Sequence, residues 1–105
     1  SDMEGRNMTH RYHITLHSPM GPREGELSLT GEMNGTVTGV LSLLGFQQPV
    51  AGCESSGHIQ LQHRLRTAMQ ELDCVSLLEL TGETITGVTH TDKGSIHWTG
   101  VRRPD

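Results

Sequence analysis

Apolar and polar residues alternate along most of the chain. Tyr12, Ile14 and Leu16 are separated by His13 and Thr15, and Leu27 and Leu29 by Ser28. Val37, Gly39, Leu41 and Leu43 share one phase, and Ile59, Leu61, His63 and Leu65 stand against Gln60, Gln62 and Arg64. Cys74, Ser76, Leu78 and Leu80 continue the pattern, as do Ile85 with Gly87 and Ile96 with Trp98. A period of two sends alternate side chains to opposite faces of a strand. One apolar face and one wet face is the signature of half-buried antiparallel strands.

Turn residues punctuate these segments. They fall at Ser18-Pro19-Met20-Gly21-Pro22, Asn34-Gly35, Leu44-Gly45, Ser55-Ser56-Gly57, Thr67 to Gln70, Thr81-Gly82-Glu83 and Asp92-Lys93-Gly94. Asn34-Gly35 is the strongest two-residue hairpin signal among them, because both residues tolerate positive φ. Gly21, Gly45 and Gly94 fit a period of about 24–25 residues, with Gln70 at the missing beat. The pattern predicts four successive hairpins, eight strands in all. Leu61, Leu65, Ala68, Met69, Leu72 and Val75 also fit a helical stripe, so a helix over Gln60 to Cys74 competes with two strands there. The repeat and the clean alternation from Ile59 to Leu65 favour strands.

Eight hairpin-linked strands avoid bare edges by closing on themselves. The predicted fold is therefore all-β, an eight-stranded antiparallel up-and-down barrel over residues 10–103. Residues 1–9 are expected to be a tail, with Ser1-Asp2-Met3 read as a cloning or tag remnant. Glycines in the inward phase, Gly39, Gly87 and Gly100, suit either tight coiling or open lumen space.

Pro19-Met20-Gly21, Leu44-Gly45 and Thr99-Gly100-Val101-Arg102 resemble the turn and closing motifs of short bacterial barrel proteins of no assigned role. The likeness covers about residues 10–103. The whole resembles a small calycin-type barrel, the architecture of lipocalins and avidins. That resemblance implies a lumen able to take a small molecule. The chain lacks the N-terminal Gly-x-Trp of lipocalins and has one Trp where avidins have several, so neither family's ligand carries over.

Composition narrows the functional classes. The chain has 105 residues, 32% of them hydrophobic, and a net charge of −4. No apolar run approaches the ~20 residues of a membrane-spanning helix. Tyr12, Phe46 and Trp98 are the only aromatics, too few for the stacking platforms of single-stranded nucleic-acid binders. Arg64/Arg66 and Arg102/Arg103 accordingly read as solvated surface or as a subunit-contact ion pair. Met20-Gly21-Pro22-Arg23-Glu24-Gly25 is a hairpin turn, without the ending of a phosphate loop. The polar stretch Ser1–Arg11 has no signal-peptide core, which predicts a cytoplasmic protein with Cys53 and Cys74 as reduced thiols.

Candidate chemistry sits on the inward phase. Tyr12, Gln48, His63, Cys74, Ser76 and Trp98 are the expected lumen residues, offering polar anchors and a flat wall to a small, largely apolar ligand. His63 and Cys74 on adjacent strands also suit a thiol–imidazole pair, the alternative being an isomerase or cyclase. Neither a metal nor another cofactor is expected. His13 and His17 lie too far apart along one strand to share an ion, although closure would bring His97 near them. Val40, Leu44, Val75 and Leu77 fall in the outward phase. Exposed apolar residues of this kind predict a subunit contact, and hence a homodimer or an assembly module with a side-chain-filled barrel.

Overall fold

Short connections join eight strands in the computed structural model, which describes residues 8–104. The strands are β1 (Met8–Ser18), β2 (Gly21–Gly31), β3 (Thr36–Leu43), β4 (Phe46–Ser55), β5 (His58–Arg66), β6 (Glu71–Thr81), β7 (Thr84–Thr91) and β8 (Gly94–Arg102). Each pairs antiparallel with its sequence neighbours, and β8 returns to β1 to close the barrel. In the closing pair Leu16 faces Trp98, and His17 faces His97. Closure pairs the first strand with the last and so removes the two bare edge strands of an open sheet. β1 opens at Met8, so Met8 and Thr9, expected in the tail, pair with Gly31 and Thr30. The remainder of the expected tail, residues 1–7, lies outside the described residues.

The turns form where the turn residues stand, with one exchange of type. Leu44-Gly45 (φ 56° and 83°) and Ser56-Gly57 (φ 53° and 82°) take positive φ at both central positions, the primed geometry that matches strand twist. Asn34-Gly35 instead completes a longer loop. Gly35 N–H donates to the Glu32 carbonyl at 3.0 Å, and Asn34 Oδ1 accepts from Thr36 N–H at 2.9 Å.

Residues 60–74 are strand, turn and strand, not helix. Thr67 Oγ1 accepts from the N–H groups of Met69 and Gln70 at 3.2 and 3.1 Å and so pins the turn. Met69, which a helical stripe would bury, is 89% exposed.

The middle of the barrel is solid. Ile14, Leu27, Leu41, Leu61 and Ile85 are each 0% exposed and Trp98 1%. Eight strands enclose a space just wide enough for side chains to fill it. The inward glycines serve coiling: a Cβ on Gly39 would stand 1.9 Å from the Ser28 carbonyl oxygen, and one on Gly52 1.7 Å from that of Gln60. The neighbouring backbone occupies the space that a side chain would need.

Candidate functional site

All six expected lumen residues point inward and are buried: Tyr12, Gln48, His63, Cys74, Ser76 and Trp98. They do not form one site. His63, Ser76 and Trp98 join through Thr89, a residue the sequence reading omitted. Trp98 Nε1–H donates to Thr89 Oγ1. Thr89 and Ser76 hydroxyls bond at 2.7 Å, and Ser76 Oγ bonds His63 Nε2 at 2.7 Å. The other imidazole nitrogen, Nδ1, donates to the Arg64 carbonyl at 3.1 Å. That bond puts the proton on Nδ1, so Nε2 accepts and Ser76 donates. Burial holds His63 below its ordinary pKa, against a smaller upward pull from the Arg64 carbonyl. Its neutral form is the one this chain requires. The indole and imidazole rings also meet edge to face, 6.5 Å apart. With Ser76 and Thr89 at 0% exposure and His63 at 8%, the network ties four strands together almost out of reach of solvent.

Cys74 lies in register opposite His63, as the adjacent-strand reading expects. Its thiol donates to the Leu72 carbonyl at 3.5 Å. Burial first, and then the Asp73 carboxylate, push it up to about 11. A thiol held there is protonated at neutral pH and is a poor nucleophile. His63 Nε2, committed to Ser76, is not free to serve it as a base.

Gln48 is 5% exposed, and neither its Oε1 nor its Nε2 has a partner among the described residues. It faces Leu41 across the β3–β4 pair. Leaving a buried amide unsatisfied costs about 1–3 kcal/mol.

His63 and Cys74 border a shallow groove of about 620 Å³ beside Asp73 and His90, whereas Tyr12 reaches a more enclosed opening. At the end of the barrel that carries the start of β1 and the β2–β3 loop, the interior widens into a cup of about 420 Å³. Its walls are Met8, His10, Tyr12, Leu29, Val37, Ile59 and Leu80, with Met33, Glu32 and Glu54 at the rim. The cup exists because β1 overshoots β8: the β1–β8 pairing ends at Tyr12 and Arg102, whereas β1 continues along β2 to Met8. His10 Nδ1 is buried there with no partner among the described residues. Burial raises the Tyr12 hydroxyl, with Arg102 acting to lower it and Glu83 to raise it. No protein-family model matches this chain, and neither does any curated protein. The reading of the site therefore rests on its geometry.

Sequence reasoning missed the cup, although Met8 and His10 continue the Tyr12 phase and Leu80 the Leu78 phase. The strand overshoot that exposes them depends on register. Outside the barrel, closure does bring His17 level with His97, but His17 Nε2 bonds Thr99 Oγ1 at 2.9 Å. Among the described residues, no group of three His, Cys, Asp or Glu is placed to hold a metal ion.

Proposed function

We propose that this protein is a non-enzymatic binder of a small, largely apolar molecule, held in the cup at the barrel mouth. The observation that carries the reading is the cup itself: the apolar interior opens there above a packed centre. Its volume and lining suit the common pattern of ligand pockets, apolar walls with a few polar groups. The packed centre below it would form a rigid floor. The test is fluorescence titration with N-phenyl-naphthylamine, which brightens in apolar surroundings. Wild-type protein gives a saturable rise, and Leu80→Trp, which fills the cup, weakens binding by about tenfold, or about 1.4 kcal/mol. Folded wild-type protein that gives no saturable rise would sink the reading.

A second reading, assembly through the outer wall, is favoured by one feature. Leu77 is 44% exposed and faces Val88 on β7, beside an outer groove of about 520 Å³ that also includes Cys53, Gln60 and Thr86. Val40 and Leu44, exposed on the β3 side, stand on a separate part of the ring. A homodimer through the Leu77 face predicts that Leu77→Lys lowers the mass by half in light scattering. A wild-type monomer at high concentration removes this reading.

A further inference from the structure

We infer that the ligand of the cup carries a protonated amine on its apolar body. This rests on the binding reading above and adds the chemistry of the ligand's polar end. Among the described residues, the charged side chains that line the cup are Glu32 and Glu54, both acidic. Glu54 Oε2 accepts from Gly57 N–H at 3.0 Å, which fixes the carboxylate at the rim and leaves Oε1 for a further donor. His10 Nδ1, buried in the wall with no partner among the described residues, offers a third acceptor when the imidazole carries its proton on Nε2. Arg102, the inward cation of β8, is engaged within the fold and does not line the cup.

The lining thus sets two carboxylates and an unpartnered imidazole nitrogen around an apolar floor of Leu29, Val37, Ile59 and Leu80. An ammonium group supplies up to three donors and one positive charge, which answers all three acceptors. A carboxylate at the same place would meet like charge. A neutral alcohol would gain the apolar contacts and one donated hydrogen bond.

The experiment compares three probes with one apolar body: naphthylmethylamine, naphthylmethanol and naphthoate, measured by calorimetry at neutral pH and low salt. The amine binds tighter than the alcohol by about threefold to tenfold, the range of a partly exposed ion pair, and naphthoate binds weakest. Glu32→Gln with Glu54→Gln removes the amine's advantage and leaves the alcohol's affinity as it was. Glu32→Gln alone, on an exposed loop residue, halves the advantage or more and guards against misfolding of the double variant. Leu80→Trp weakens binding of amine and alcohol alike, by about tenfold. Alcohol that binds as tightly as amine overturns the amine inference and leaves the apolar reading standing. A preference for amine that survives both substitutions also overturns it. Failure of all three probes overturns both.

Discussion

Gln48 illustrates how a single side chain separates stability from use. Its amide lies in the interior with both polar atoms unpartnered. Gln48→Met keeps the length and the volume, and removes two groups that want partners. The expected outcome is a gain of about 1–2 kcal/mol, read as a higher midpoint in urea unfolding. A loss would mean that the amide does find a partner in solution. Its inward phase was legible, because Gln48 shares the phase of Val50, with Pro49 between them. Its lack of a partner was not, since that depends on which side chains arrive from across the barrel. Thr89 is the converse. Its phase with Ile85 and Gly87 is plain in the sequence. The bonds to Ser76 and Trp98 come from two cross-strand registers that no local pattern encodes.

At the scale of the strand, curvature decides what substitutions survive. A Cβ on Gly52 would fall 1.7 Å from the Gln60 carbonyl oxygen, which belongs to the β5 backbone and cannot swing aside. Gly52→Ala should therefore cost about 3 kcal/mol or more, at or above the usual range for overpacking. Thermal unfolding checks it, with Gly31→Ala as control, because a Cβ there meets nothing within 4 Å. Equal effects from both would remove the steric account. The eight strands and their turns were readable because alternation and turn chemistry are local. The inward glycines admitted two meanings, coiling or open space. Only the path of the adjacent backbone distinguishes them.

Across the whole molecule, two histidines impose opposite pH dependences. His13, on the outer wall, sets Nδ1 3.1 Å from Glu26 and Nε2 2.9 Å from Glu24. These bonds, to Glu26 first and then to Glu24, raise it above the ordinary 6.5. Its contribution is present below pH 6.5 and is lost as pH rises through the higher folded value. His63 is lowered by burial. The unfolded chain then binds the proton more readily, so stability falls as pH drops below 6.5 towards the lower folded value. Imidazole proton shifts in NMR should show His13 titrating above 6.5 and His63 below it, the reference value for both. Added salt should diminish the first shift far more than the second, since His13 is exposed and screened. Unshifted titration of His63 would contradict its place in the buried network. Closure of the ring was legible from the strand count. The cup was not, because it arises from an overshoot of β1 past β8 that leaves no mark on composition or period.

An indole can only give a hydrogen, and a backbone carbonyl can only receive one. Between these fixed ends, from Trp98 through Thr89, Ser76 and His63 to Arg64, each member hands its hydrogen to the next. Neither hydroxyl is free to turn round without breaking the line. The interior thus stores a direction, from β8 through β7 and β6 to β5. The two hydroxyl hydrogens are locked away from water, and they exchange with it only when the barrel wall opens.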